Sequence, residues 1–83
     1  MNRIETPMDQ LVTLIAQSLV DRPEAVLVNA IEGNHTMVLE LRVAREDIGK
    51  VIGKQGRTAQ AMRTLISAVS SKIRKRAVLE IVE

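Results

Sequence analysis

Two glycines, separated by two polar residues, divide a helix-like stretch in the second half of the chain. The full run reads Gly49-Lys50-Val51-Ile52-Gly53-Lys54-Gln55-Gly56. Glycine permits positive φ angles and lets another molecule approach closely, because it has no Cβ. The residue after the turn begins a new helix, whose first amides have no partner within the helix and favour anions. The run therefore predicts a tight turn between two helices that suits a phosphodiester chain.

Three basic residues surround this turn, namely Lys50, Lys54 and Arg57. The formal net charge of +2 hides an asymmetry along the chain. From Arg42 to Arg76 there are ten Lys or Arg and two acidic residues, whereas the remainder has two basic and eight acidic residues. A basic segment beside an acidic remainder is typical of a surface that binds a polyanion. Scattered charge on a solvated surface is the alternative, and charge alone does not separate the two.

Length and composition limit the possible classes of protein. With 83 residues, of which 46% are hydrophobic, the chain is long enough for one small domain and too apolar to be disordered. The core must be aliphatic, because there is no Phe, Tyr or Trp, and the absence of cysteine fits a reducing compartment. No signal peptide is visible, and no apolar run approaches the ~20 residues that a bilayer needs. We expect a single domain over residues 1–83, located in the cytoplasm.

The first half of the chain predicts a helix followed by two strands. The helix opens at Thr6, where Pro7 and Asp9 suit the first turn. Its apolar face is formed by Met8, Leu11, Val12, Ile15 and Leu19. Strands are predicted over residues 25–32 and 36–44, and the second alternates cleanly. Its inward face is formed by Met37, Leu39, Leu41 and Val43. For the first strand, two inward faces are possible: Val26 with Val28, or Leu27 with Ile31.

The second half predicts two helices and a last strand. The short helix buries Ile48, Val51 and Ile52, and the longer one runs from Arg57 to about Lys72. The buried face of the longer helix is formed by Ala59, Met62, Ile66 and Val69, with Ile73 as an extension. A strand over residues 77–82 completes the order α-β-β-α-α-β. The first two strands predict an antiparallel hairpin, and the two intervening helices permit a parallel crossover to the third. The fold class is a two-layer α+β domain, with a three-stranded mixed sheet and helices on one face.

The sequence Ile-Gly-Lys-Gln-Gly, set between a short and a long helix that strands flank, resembles a KH domain. The preceding helix and strand resemble the type II arrangement of that fold. The whole chain is similar to the small single-KH bacterial RNA-binding proteins of the KhpA/YlqC type. This similarity rests on residues 39–44, Asp47, residues 49–57 and residues 79–82. The resemblance implies a KH type II-like domain and single-stranded RNA as the ligand.

A KH domain holds about four nucleotides, with its glycine loop against the nucleic-acid backbone. The residues that correspond to RNA-binding positions are Gly49, Lys50, Ile52, Gly53, Lys54, Gln55, Gly56, Arg57 and Ala59. By this resemblance, residues 53–56 form the loop, and the flanking basic residues attract the phosphates. Gly49, Ile52 and Ala59 then line an apolar groove under the bases. Burial in the core is the alternative for Ile52, and helix packing is the alternative for Ala59.

Two functions are compatible with these features. The first is a cytoplasmic module that binds single-stranded RNA and acts after transcription, as an RNA chaperone or a regulator. The resemblance implies a homodimer, or a heterodimer with a larger KH-containing partner of the KhpB/Jag/EloR type. The second is a protein–protein adaptor whose KH fold does not bind RNA. The sequence contains neither of the glycine motifs of nucleotide-binding enzymes, G-x-G-x-x-G and G-x-x-x-x-G-K-[ST]. Its single histidine, His35, cannot be combined with other residues into a nucleophile, a base and a group that orients the base. We therefore expect neither enzymatic activity nor a metal or other cofactor.

Overall fold

A computed structural model describes residues 7–83, so the predicted helix cap at Thr6 lies outside the described residues. The helices are α1 Pro7–Leu19, α2 Ile48–Ile52 and α3 Arg57–Ile73, and the strands are β1 Leu27–Glu32, β2 Thr36–Arg42 and β3 Arg76–Ile81. Short 3-10 turns lie at Pro23–Ala25, Arg45–Asp47 and Lys54–Gly56. The order α-β-β-α-α-β is the predicted one. Within residues 7–83, none of the helices is both long and apolar enough to span a bilayer.

The three strands form one mixed sheet with β2 in the centre. β1 pairs with β2 in antiparallel fashion, and Ala30 lies opposite Leu39. β3 pairs with the other edge of β2 in parallel, and Leu79 lies level with Leu39. The Gly33 amide donates to the Thr36 carbonyl at 2.8 Å and closes the hairpin. The topology confirms the predicted hairpin and crossover.

The core lies between one face of the sheet and the helices, and it is entirely aliphatic. The strands contribute Val28, Met37, Leu39, Leu41 and Leu79, and the helices contribute Met8, Val12, Ala16, Val51, Met62 and Ile66. The register settles the inward face of β1, because Val28 pairs with the inward-facing Leu41. Val28 is 8% exposed, whereas Leu27 is 59% exposed on the opposite face. The sheet is therefore covered on one side only, as the alternation along β2 predicts.

Helix ends depart from the predicted apolar faces. Leu19 is 39% exposed and Ile73 is 41% exposed, so neither belongs to the core. Both are the last residues of their helices. Ala16 instead continues the buried row of Met8 and Val12, because residues four apart lie on one face of a helix. The predictions for Leu19 and Ile73 are therefore wrong.

Candidate nucleic-acid interface

The glycine run forms a sharp turn between α2 and α3. Gly53 has φ 80° and ψ 170°, Gln55 has φ 57° and ψ 26°, and Gly56 has φ 73° and ψ 12°. The Gly53 amide donates to the Gly49 carbonyl at 2.9 Å and ends α2. The Gly56 amide donates to the Gly53 carbonyl at 3.1 Å and closes the turn. Three residues with positive φ therefore reverse the chain within four positions.

The outer side of this loop is accessible. Lys54 and Gln55 are exposed at its tip. A Cβ added to Gly56 would meet no atom within 4 Å, and the same holds for Gly49 on the preceding helix. The loop and the adjoining surface of α2 therefore leave room for another molecule.

Gly53 differs from Gly56 because its inner side is packed against α3. A Cβ at Gly53 would lie 2.1 Å from the Thr58 Oγ1 and 2.8 Å from the Thr58 backbone nitrogen. Real Cβ atoms do not approach so closely, so the first turn of α3 requires glycine at this position. No local sequence pattern indicates this role of Thr58, because nothing distinguishes it from any other threonine in the first turn of a helix.

The predicted apolar groove residues differ in accessibility. Ile52 is half-buried at the end of α2 and has side-chain surface to offer a ligand. Ala59 is only 3% exposed and packs inside the domain, so it contributes little direct contact surface. The accessible apolar surface beside the loop is therefore centred on Ile52 and the open flank of Gly49.

The three basic residues around the loop have different surroundings. Lys54 and Arg57 are exposed, and among residues 7–83 neither has a carboxylate within ion-pair distance. The Lys50 Nζ, by contrast, lies 3.2 Å from the Asp21 Oδ2 and 3.3 Å from the Asp47 Oδ1. Hydrogen bonding to Asp21 and Asp47 raises the pKa of Lys50. The positive charges available to a ligand at the loop are therefore those of Lys54 and Arg57.

Asp47 is the most buried charged residue of the described chain, with no exposed surface. Its Oδ2 accepts the Arg22 backbone amide at 3.0 Å. Burial raises the pKa of Asp47, but bonds from the Arg22 and Asp21 amides and the nearby Lys50 outweigh this, so the pKa lies below its ordinary value. Asp47 immediately precedes α2, and no pattern in the neighbouring sequence indicates its contact with Arg22.

A shallow groove runs between α3 and the first residues of β3, and polar side chains line it. Its walls include Gln60, Arg63, Ser67 and Arg76. The Arg63 Nη2 donates to the Leu79 carbonyl at 3.3 Å, so this arginine connects α3 to the strand. No pattern in the neighbouring sequence indicates this contact with β3.

The basic stretch after α3 is fixed mainly through its backbone, and the side chains of Arg74 and Arg76 are exposed. Arg74 caps α3 in the left-handed conformation, with φ 58°. Lys75 forms an ion pair with Glu32, and the Arg76 amide donates to the His35 carbonyl. These contacts agree with the predicted end of α3 and start of β3. The connection between the two elements, beside the groove, is therefore short.

Comparisons with known proteins give a consistent result. The family described as "KhpA/KhpB, KH domain" matches residues 9–81. The "RNA-binding protein KhpA" of Caldanaerobacter subterraneus subsp. tengcongensis is 56% identical over 75 residues, which are 90% of this chain and 100% of that protein. The protein of the same name from Clostridium perfringens is 53% identical over 75 residues, with the same coverage. That from Aquifex aeolicus is 53% identical over 76 residues, which are 92% of this chain and 96% of that protein.

Proposed function

The chain belongs to the KhpA/KhpB KH-domain family, and from this premise we propose that it binds single-stranded RNA through the loop Gly53–Gly56. The observation that carries the proposal is the accessible loop, beside which Lys54 and Arg57 form no ion pair within residues 7–83. A KH domain holds about four nucleotides with this loop against the backbone. The names of the curated relatives support RNA as the ligand.

The start of α3 supplies the phosphate-binding chemistry. Its N-cap is Gly56, so no side chain hydrogen-bonds to the amides of the first turn. A helix start of this kind favours an anion, because amide donors and the helix dipole point toward it. Lys54 and Arg57 add positive charge at the same place, and Ile52 provides an apolar contact for a base. The phosphate backbone therefore lies along the loop, and the bases lie toward α2.

Affinity for RNA should be modest in a single domain. The sequence contains no aromatic residue, so it lacks base stacking, which is worth ~1–3 kcal/mol per base elsewhere. A footprint of about four bases also discriminates poorly between transcripts, since so short a site occurs in most RNAs. We infer that the protein acts after transcription on many RNAs, as a chaperone or a regulator.

The loop is tested by adding negative charge to its tip. In a Lys54→Asp, Gln55→Asp variant, two carboxylates face the phosphates, and we expect RNA affinity to fall by at least about tenfold. The measurement is fluorescence anisotropy with a labelled mixed-sequence RNA of about 12 nucleotides, several times the length of one KH footprint. Circular dichroism must show that the variant is folded.

The matched control is Lys72→Asp, Gln17→Asp. It makes the same change in net charge at exposed helix positions away from the loop. This control should retain most of the affinity, because only longer-range attraction is reduced. Equal RNA binding by the wild type and the folded loop variant would refute the role of the loop.

A second KH unit would compensate for weak binding by one domain. Linked sites can gain a factor of ~100 or more in apparent affinity. We propose a homodimer or a heterodimer with a larger KH-containing partner of the KhpB type, which the pairing of KhpA and KhpB in the family description supports. Leu14 and Leu65, 64% and 47% exposed on the helices, are available to such a contact.

The same exposed leucines favour the second candidate function, a protein–protein adaptor that does not bind RNA. Sedimentation equilibrium of the wild type, combined with the anisotropy titration, separates the two. A chain that self-associates but binds no RNA, with or without the loop substitutions, would be an adaptor. Loop-dependent RNA binding would exclude this reading.

A further inference from the structure

Asp47 connects two distant parts of the chain at the beginning of α2. Its carboxylate is fully buried and accepts the amide of Arg22, which lies 25 residues earlier in the sequence. Arg22 belongs to the connection between α1 and β1. The start of α2 is therefore fixed directly to that connection.

Lys50 supplies the opposite charge that this buried carboxylate needs. Its Nζ is 3.3 Å from the Asp47 Oδ1, and among the described residues this oxygen has no other hydrogen-bond partner. A buried carboxylate without a paired charge is strongly unfavourable. The same Nζ is 3.2 Å from the Asp21 Oδ2, so Lys50 bridges α2 to the residue before Arg22. We call Asp21, Asp47 and Lys50 the carboxylate–lysine bridge.

The bridge matters because α2 is very short. A helix of five residues is not stable on its own, so contacts with the rest of the domain must set its direction. One such contact is Val51, which is fully buried in the core. The other is the bridge, in which Asp47 immediately precedes α2 and Lys50 lies within it. The buried Val51 and the bridge together restrict the direction of the helix.

The loop follows directly from α2. Asp47 and Gly53 are six positions apart, or roughly 9 Å along a helix axis. The Gly53 amide is bonded to the Gly49 carbonyl, so no flexible residue separates the loop from the helix. A rotation of α2 about Val51 would therefore displace Gly53–Gly56 relative to α3.

We propose that Lys50 is a positioning residue, which together with Asp21 and Asp47 holds α2 and the glycine loop in the orientation that binds RNA, and that it is not itself a phosphate ligand. Two carboxylates already surround its ammonium group, so the three groups together carry a net negative charge. Lys54, four residues later in the sequence, has no such partner in the part of the chain that the structure describes. The proposal rests on the proposed function, because it assigns roles within the same RNA-binding loop.

The test compares Lys50→Met with Lys54→Met, since both remove one charge and keep an unbranched apolar side chain. RNA affinity is measured over a salt series with the labelled RNA described above. In a plot of log Kobs for RNA binding against log salt concentration, the magnitude of the slope falls by about 0.7 for each phosphate contact that is removed from a single strand. We expect Lys54→Met to lower the slope by about this amount. Lys50→Met should leave the slope unchanged while weakening affinity about threefold to tenfold.

A second readout follows the loop without RNA. Amide hydrogen exchange over residues 53–57, measured well below the melting temperature, should accelerate in Lys50→Met and not in Lys54→Met. Lys50→Arg keeps a cation within reach of both carboxylates and should restore slow exchange and affinity. Unchanged exchange in Lys50→Met, or a slope reduced as in Lys54→Met, would overturn the positioning role. Failure of Lys54→Met to change the slope would count against the RNA-binding loop instead.

A third variant serves if Lys50→Met does not fold. Asp21→Asn removes an exposed partner of Lys50, and Glu24→Gln removes a nearby exposed charge that forms no ion pair within residues 7–83. A phosphate-binding Lys50 would be released by Asp21→Asn, so RNA affinity would rise beyond that of Glu24→Gln. A positioning Lys50 predicts no such excess. A higher RNA affinity for Asp21→Asn than for Glu24→Gln would therefore overturn the positioning role of Lys50, and equal or lower affinity would support it.

Discussion

The two ends of α2 are only one turn apart, yet the charged residues at one end are paired within the domain and the charged residue at the other end is not. At the first end, Asp47 is buried, and the Lys50 ammonium is paired with Asp21 and Asp47 although 43% of the Lys50 side chain is exposed. At the second end, Lys54 is exposed without a partner among residues 7–83. Charge at the first end stabilises the fold, and charge at the second is available to a ligand. A basic residue near a glycine loop is therefore not by itself evidence of nucleic-acid contact.

The two loop glycines show the same division. Gly53 is required by its own domain, because Thr58 occupies the space where a Cβ would lie. Gly56 has open space around that position and is constrained only by its φ angle of 73°. The inner glycine thus serves packing, and the outer one leaves room for a ligand. Substitutions at the start of α2 and in the glycine loop should separate the residues that stabilise the fold from those that are available to a ligand.

The largest effect should come from Gly53→Ala. The alanine must adopt a backbone region that is nearly restricted to glycine, and its Cβ meets the Thr58 backbone. Together these should cost about 3 kcal/mol of unfolding free energy. Gly56→Ala carries only the left-handed backbone cost, about 1–2 kcal/mol. Urea unfolding followed by circular dichroism measures both; equal losses would show that packing on Thr58 is unimportant.

Acid stability should depend on Asp47. Its pKa is lowered in the folded state, so its contribution is present above the unfolded pKa of about 3.9 and disappears as the pH falls through the folded value. The wild type should therefore lose stability in this acidic range. Asp47→Asn should be less stable at neutral pH and should show a weaker decline on acidification. Urea midpoints from pH 7 to about pH 2.5 test this; parallel curves would remove Asp47 as the cause.

A stabilising substitution is predicted inside the loop. Gln55 adopts the left-handed conformation, with φ 57°, which costs a residue with a side chain roughly 1–2 kcal/mol. Gln55→Gly removes that cost but adds freedom to the unfolded chain, so the net gain should be about 0.5–1 kcal/mol. Gln55→Asn should gain less, since asparagine tolerates this region only partly. A loss of stability in both variants would show that the Gln55 side chain contributes contacts of its own.

The smallest effect is expected from Glu46→Gln. The Arg22 Nε lies 3.4 Å from the Glu46 Oε2, but both side chains are about 60% exposed. Such pairs contribute between 0 and about 1 kcal/mol, and we expect less than about 0.5 kcal/mol here. The value should also vanish at high salt. A loss as large as that of Asp47→Asn at neutral pH would mean that the exposed pair, rather than the buried carboxylate, holds the start of α2.

Local patterns were sufficient to predict the strands and the loop. Alternation along β2 identified its inward face, and the glycine spacing placed the turn between α2 and α3. The inward face of β1 stayed open, because Val28 and Leu27 are equally apolar and only pairing with Leu41 decides between them. The register depends on both paired strands, so it cannot be predicted from the sequence of one strand alone.

Contacts between distant positions explain what was missed in the site. Asp47 meets Arg22 across 25 positions, and Arg63 meets Leu79 across 16. Nothing adjacent to either residue signals these partners. Lys50 was consequently grouped with Lys54, since in sequence both are simply basic residues beside glycines. Their difference arises only when the connection after α1 folds against α2.

The bond from Arg63 to the Leu79 carbonyl has a consequence for solution behaviour. Within residues 7–83, β3 pairs only with β2, so its outer side presents an open edge to which the strand of another molecule can add. The guanidinium group of Arg63 occupies one of the acceptors on that edge and places a charge there. This arginine thus discourages strand-to-strand aggregation, and its removal should first become visible as concentration-dependent turbidity on mild heating.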